Sequence, residues 1–368
     1  MQKEMISMRQ AVCIIVLFLF GSSLIMGVSS KAAQDSWISL LLAPVLAIPM
    51  ILIYARIMKA FPEKDFFEIA EMLLGKIAGK IVIALMTWYA IHLCALVLRN
   101  FSEFIEIAVM PETPQLPITI AMILVVVYMA KSGIETLGKW SIFMLPVTVL
   151  VVILTVLLSI NKMDFTNIMP IMEHDFGAIV SGSYQLFTFP YAETVLFLCI
   201  ACAINKNDSP YKLYMYPILI GTVMLLFVIL RNNFILGPAL VGAEYFPSYT
   251  AVRVINIGDF FARVEGSIAM NFILAGIIKL TVCLMAASKG IARLFGIQNY
   301  REVLLPVSLL IVALGVIVYK NVMEMFDFLE VYQYYTIPFQ IIIPLIIWIM
   351  AEIKMRRKRA DIPDEVPS

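Results

Sequence analysis

Two charged residues of this chain stand where charge is expensive. Glu193 ends the run Phe187-Thr188-Phe189-Pro190-Tyr191-Ala192-Glu193 inside a long apolar stretch, and Lys279 sits in Ile277-Ile278-Lys279-Leu280. A charge inside hydrocarbon costs about 2.5–3.5 kcal/mol even on lenient scales, so such residues face a cavity or pair with one another. Glu193 has two readings: recognition of a ligand ammonium or a proton relay, or a structural cap on backbone donors freed at Pro190. Lys279 has three: a contact to a ligand carboxylate, a fixed positive charge in place of a bound sodium ion, or an ion pair with Glu193 or another pathway carboxylate that holds two spans together. Two backbone features accompany them. Pro190 lacks an N–H and disturbs the preceding turn. Gly21, Ser22 and Ser23 weaken regular helix and permit close approach. Unwound turns of this kind offer N–H groups to a carboxylate and C=O groups to an ammonium or a cation. The chemistry is binding of a small ligand or ion: a polar site would want an amino acid zwitterion, and Phe187, Phe189 and Tyr191 would also tolerate a purine or a sugar. Nothing resembles G-x-S-x-G, a Walker A loop or H-E-x-x-H, so no catalytic residues and no enzyme activity are expected.

Other candidates are weaker. Tyr89 and His92 lie in the third apolar run and either wall a cavity or pack. Phe187 and Thr188 flank the Pro190 break. Arg99 and Glu103 form an i,i+4 pair that anchors a helix end. The five cysteines all lie in apolar runs and read as packing residues, Cys199-x-x-Cys202 included. Two distant histidines offer no metal site, and no cofactor is expected.

The elements that must position these residues are membrane helices. Hydrophobic residues make up 62% of the 368-residue chain and charged residues 14%, and the mean hydropathy is +0.94. A soluble chain this apolar could not cover its surface with polar side chains. The net charge of +1 gives no basic excess for nucleic acid. Apolar runs of about 17–24 residues predict helices rather than barrel strands. Ten spans are predicted, near 9–29, 37–57, 80–99, 115–131, 141–160, 181–204, 213–235, 267–288, 302–319 and 333–351. With the N-terminus in the cytoplasm, 19 of the lysines and arginines fall on the cytoplasmic side and seven outside, so both termini are expected inside. Val28-Ser29-Ser30 would pass as a signal-peptide cleavage site, but the run before it is longer than usual and the span is expected to be retained. Residues 59–79 predict an amphipathic helix on the cytoplasmic interface. Residues 236–266 predict an outer loop with room for short helices, either a lid or a connector. The basic tail reads as an anchor to anionic lipid.

Ten spans divide into five and five, and an odd number inverts the second half. The expected organisation is a single membrane domain: a first repeat over 1–160, a second over 178–352 and a tail over 353–368. Span 1 carries Gly21-Ser22-Ser23 and then Gly27; span 6 carries the Pro190 break. Interrupted helices in matching positions of two inverted halves point to a midplane binding site between them, walled by spans 3 and 8. The candidate ligand-binding set is therefore Gly21, Ser22, Ser23, Phe189, Pro190, Tyr191, Glu193 and Lys279.

Several short motifs then combine. They are Gly21-Ser22-Ser23, Ala33-Gln34-Asp35-Ser36-Trp37-Ile38, Phe189-Pro190-Tyr191-Ala192-Glu193, Phe246-Pro247-Ser248, Arg263-Val264-Glu265 and Lys279, in this order on ten spans. With them the chain resembles the spore germination B-subunit family, the GerAB-type membrane component of germinant receptors. That family looks like a branch of the amino acid–polyamine–organocation transporter superfamily. One departure is Phe272, in a region where the family often has tryptophan. The resemblance implies an all-α, leucine-transporter-like fold with a five-plus-five inverted repeat and broken spans 1 and 6. It implies location in the inner membrane of an endospore, with an A-type subunit and a lipoprotein C-type subunit as partners. It implies that the ligand is a germinant such as an amino acid or another small nutrient. The rival expectations are a secondary amino acid transporter, proton-coupled or an exchanger, and a ligand-free scaffold.

Overall fold

Without water to satisfy them, backbone N–H and C=O groups in a bilayer must pair within the chain, and a helix does this locally. The computed structural model describes residues 4–26, 30–254 and 264–360, with the side chains of 25–26, 30–31, 264–265, 267–268 and 357–360 left aside. Eight helical stretches are long and apolar enough to cross a membrane, and Met8–Leu24 and Leu304–Ile317 are apolar but shorter. The protein is an integral membrane protein. Gly27, the Val28-Ser29 step, Gly258, Asp259 and Arg263 lie outside the described residues.

Helix α1 (Met8–Met26) is central. Its residues from Ile14 to Phe20 are fully buried, against α5 (Ile134–Ser159), α7 (Pro210–Ala243) and α9 (Val264–Phe295). The first half also contains α2 (Ser36–Ala60), α3 (Phe66–Phe104) and α4 (Gln115–Ser132). The second half adds α6 (Phe176–Leu186), which continues as irregular turns over Phe187–Tyr191 and Ala192–Ala203. A short α8 (Pro247–Arg253) follows α7, and α10 (Leu304–Ile317), α11 (Val322–Tyr335) and α12 (Ile343–Ala360) complete the chain. Among the helix pairs in contact are α2 with α7, α3 with α9, and α4 with both α9 and α10.

The amphipathic segment differs from expectation. It is helical from Phe66, with Asp65 accepting from the Glu68 N–H at 3.0 Å as a cap. Its apolar residues Phe66, Phe67, Ile69 and Ala70 are buried in the protein rather than turned to lipid. The chain then reverses at Gly75 (φ 79°), and a Cβ at Gly79 would lie 2.8 Å from Glu71 Cα. That fold-back lays the short helix against the end of α9, where Arg293 pairs with Glu71. A side chain at Gly79 would push the return open.

The first residues of the chain tie one face together. The Ile6 N–H donates to the Ala203 carbonyl at 2.8 Å, at the end of the turns that follow α6. Glu4 pairs with Arg301 and accepts from the Ile134 N–H, and the Met5 N–H donates to Glu135. The far end of the chain shares this face, through Arg56–Glu352 at 2.6 Å and Lys354 donating to the Met72 carbonyl at 3.1 Å. On the opposite face, Asp35 is fully buried and accepts from the N–H groups of Met172 and His174 at 2.8 and 3.2 Å. The Gln34-Asp35 motif thus docks the α5–α6 connection on the start of α2.

Candidate functional site

α6 stops being a regular helix where the sequence makes it stop. Pro190 withholds a donor, and Phe189 takes an extended conformation (φ −142°, ψ 106°). The carbonyl of Thr188 is left without a helical donor and accepts from Gln340 Nε2 at 2.9 Å instead. Buried carbonyls need such replacement partners. The same Gln340 nitrogen donates to Tyr89 Oη at 2.9 Å, and the Gln340 carbonyl accepts from Tyr54 Oη at 2.5 Å.

Glu193 lies one turn beyond the break and is fully buried. Its Oε2 accepts from Lys279 Nζ at 2.5 Å and its Oε1 from Tyr332 Oη at 2.6 Å. The Tyr332 proton is committed to the carboxylate, so Tyr89 donates in the 3.3 Å contact between the two phenols. Lys279, also fully buried, has its ammonium 4.8 Å from the Phe189 ring centroid and 5.2 Å from that of Phe18. An ammonium over ring faces gains cation–π attraction that strengthens when water is excluded. The result is one anion and one cation, each with further polar or aromatic partners, as a buried pair requires.

Gly21 supports the lysine stem. A Cβ there would meet Lys279 Cδ at 2.7 Å and Lys279 Cβ at 3.1 Å. The expected unwinding at Gly21-Ser22-Ser23 is not found: α1 runs as helix through them to Met26. Glycine and serine keep their N–H groups, so the helical ladder continues, and the glycine serves close approach instead. The Ser22 and Ser23 hydroxyl oxygens are buried and have no hydrogen-bond partner among the described residues.

Beside Glu193 lies a narrow cavity of ≈ 20 Å³, about the space of one or two water molecules, lined among others by Leu93, Asn100, Phe189, Phe328 and Tyr332. This cavity lies between α3, the α6 break and α11.

The other expected residues are placed elsewhere. Tyr191 turns away, its hydroxyl 2.6 Å from Thr222 Oγ1 on α7. Thr188 Oγ1 donates to the Gln185 carbonyl at 2.9 Å, and the Phe187 ring packs on Tyr184 at 5.7 Å. His92 is stacked on Trp88 at 5.5 Å and meets Tyr335 and Phe328 edge-on at 5.0 and 6.0 Å, in an aromatic cluster that adjoins the cavity through Phe328. Arg99 and Glu103 form a buried pair in which Nε and Nη2 both donate to Oε1, at 2.9 and 2.6 Å. Sequence reasoning missed Tyr332, Gln340 and Phe18. Gln340 did carry a signal, as a lone amide in the apolar run Ile337-Pro338-Phe339-Gln340-Ile341-Ile342. Arg231 on α7, which the sequence did not single out, is also deeply buried (2% exposed).

A family model described as spore germination protein matches residues 5–325. Spore germination protein KB of Bacillus subtilis (strain 168) is 26% identical over 363 residues, covering 97% of each chain. The putative spore germination protein YfkT of the same organism is 26% identical over 325 residues, 88% of this chain and 89% of its own. Among solved structures, MhsT in complex with L-phenylalanine superposes with a TM-score of 0.67 at 12% identity, over 94% of this chain and 89% of that one. A nucleobase-cation-symport-1 family transporter, closed and with bromovinylhydantoin bound, gives 0.65 at 11% identity, over 98% and 80%. The fold is the leucine-transporter-like one.

Proposed function

Because this chain belongs to the spore germination protein family, we propose that it is the membrane subunit of a spore germinant receptor. In this reading a small nutrient germinant, an amino acid first of all, binds beside the α6 break and signals to partner subunits of the A and C types. The protein sits in the inner membrane of the spore with both termini on the core side, as the lysine and arginine distribution favours.

One observation carries the reading. The Glu193–Lys279 pair is an electrostatic copy of an amino acid zwitterion, held in a buried site next to an irregular helix. A ligand ammonium that takes Glu193 and a ligand carboxylate that takes Lys279 replace the internal pair charge for charge. The cavity of ≈ 20 Å³ is too small for any amino acid, so entry requires the α6 break and α11 to move apart. That movement is the signal. A ligand shifts a two-state equilibrium only through its difference in affinity for the two states, and splitting the pair supplies that difference. Ser22 and Ser23, with free hydroxyls, and Phe189 complete the set proposed to meet the ligand.

The test is thermal stabilisation of the purified protein by a panel of amino acids, sugars and nucleosides, repeated with Glu193→Gln. Saturable stabilisation by one class, lost in the variant, is expected. A ligand response that survives the variant removes Glu193 from the site. The likeness in fold to transporters supports a second reading, a secondary amino acid transporter. Uptake of the stabilising ligand into proteoliposomes decides between the two.

A further inference from the structure

Arg231 raises a question that the central pair does not. It lies on α7 and is 2% exposed. Its guanidinium has four hydrogen bonds, all to neutral oxygens: Asn232 Oδ1 from Nε at 3.2 Å and from Nη2 at 2.8 Å, Thr155 Oγ1 from Nη1 at 2.8 Å, and the Ser248 carbonyl from Nη2 at 3.3 Å. Among the described residues no carboxylate pairs with it. A guanidinium stays protonated inside proteins, and an uncompensated buried charge costs several kcal/mol. Arg99 and Lys279, the other buried cations among the described residues, each have a glutamate.

The surroundings contain a place for a counter-charge. A cavity of ≈ 10 Å³, about the space of one water molecule, is lined by Arg231, Asn271, Thr155, Val151, Val228 and Phe272. Asn271 on α9 is 3% exposed. Its Oδ1 accepts from Thr148 Oγ1 at 2.9 Å, while its Nδ2 has no partner. The Thr155 hydroxyl proton is committed to the Val152 carbonyl at 2.8 Å. A guanidinium has five N–H donors, so Arg231 retains one on Nη1. The N–H groups left over at this cavity are that Nη1–H and the two on Asn271 Nδ2, against a single spare lone pair on Thr155 Oγ1. A small space bounded by a cation, spare donors and aliphatic walls selects an anion over water, and its size selects a monatomic one.

We propose that Arg231 and Asn271 hold a chloride-class halide ion, distinct from the ligand site at Glu193. The ion neutralises Arg231 and bridges α7 to α9, while the same guanidinium grips α5 through Thr155 and α8 through Ser248. It would thus fasten the Phe246-Pro247-Ser248 segment over the bundle, and chloride becomes a structural cofactor of the face opposite the termini.

The experiment uses the full chain in detergent or nanodiscs, with chloride replaced by gluconate at constant ionic strength. Thermal stability is expected to fall by several degrees in gluconate and to return saturably with chloride or bromide, but not with sulfate. Asn271→Asp places a fixed carboxylate beside Arg231 and is expected to keep the chloride-replete stability in gluconate. Arg231→Met is expected to abolish the halide dependence. Because Arg231→Met can also weaken folding, the Asn271→Asp result carries the decision. Equal stability of the native chain in chloride and gluconate overturns the proposal. So does a halide dependence that Asn271→Asp leaves unchanged.

Discussion

Two segments lead the two halves of this protein, and both are rich in residues that interrupt helices. Gly21-Ser22-Ser23 stays helical inside α1, whereas Phe187–Tyr191 breaks α6. The difference lies in one missing N–H. Glycine and serine lower helix propensity by about 1 kcal/mol or less each, which a fully packed helix absorbs. Proline removes a ladder bond and forces the preceding residues aside at a cost of about 3 kcal/mol, and Gln340 then attends to the displaced Thr188 carbonyl. The two segments meet at one side chain. Lys279 needs the bare surface of Gly21 for its stem and the carboxylate beyond the α6 break for its head. One half supplies space and the other supplies charge.

That division can be broken most severely from the charge side. Glu193→Ala leaves Lys279 buried without a counterion and is expected to cost about 3–5 kcal/mol, read as a fall in unfolding midpoint in detergent. Adding Lys279→Met should recover most of the loss. If the double variant is as unstable as the single one, the pair is not what holds the break. Attack from the space side comes next. Alanine normally stabilises a helix over glycine by up to about 1 kcal/mol, but Gly21→Ala should destabilise by about 1–3 kcal/mol through overpacking against the lysine stem. The same variant with Lys279→Met, whose stem can rearrange, should lose less. Stabilisation by Gly21→Ala would show that the stem yields freely.

Smaller effects sharpen the contrast. Tyr332→Phe removes one bond to the carboxylate and should cost about 1.5–3 kcal/mol, as for hydrogen bonds to charged groups, with the ligand response weakened. Ser22→Ala and Ser23→Ala should change stability by no more than about 0.5 kcal/mol, since neither hydroxyl has a partner to lose. Their effect should appear in ligand titrations alone. Loss of stability without loss of ligand response would reassign both serines to packing.

Much of this was legible in the chain because membrane helices announce themselves by length and apolarity, and because an intramembrane charge is rare enough to mark a site. Glu193 and Lys279 could be singled out from their neighbours alone. Their 2.5 Å contact could not be, because the sequence also allowed each to meet a ligand separately. Tyr332 and Gln340 lie 139 residues beyond Glu193 and 152 beyond Thr188, and only the folded chain brings them there. The segment at 66–74 shows a different limit. An apolar face specifies burial but not whether lipid or protein does the burying; Gly75 and Gly79 decide that by folding the helix back. Arg231 illustrates a third. It lies near the end of an apolar run, and nothing in its neighbours announces the neutral partners from α5 and α8 that surround it in the fold.

The contact between Ile6 and Ala203 has a practical bearing. The stretch after the α6 break cannot shift without pulling on the chain's own beginning, and through Glu4 on the loop before α5 and on Arg301. The N-terminus is therefore geared to the proposed binding site by a short mechanical linkage. A fluorophore on residue 5 or 6, paired with one near Ile134, would report occupancy of the distant pocket as a change in transfer efficiency. A bulky affinity handle fused there would load the same linkage, whereas one appended after α12 would leave it free.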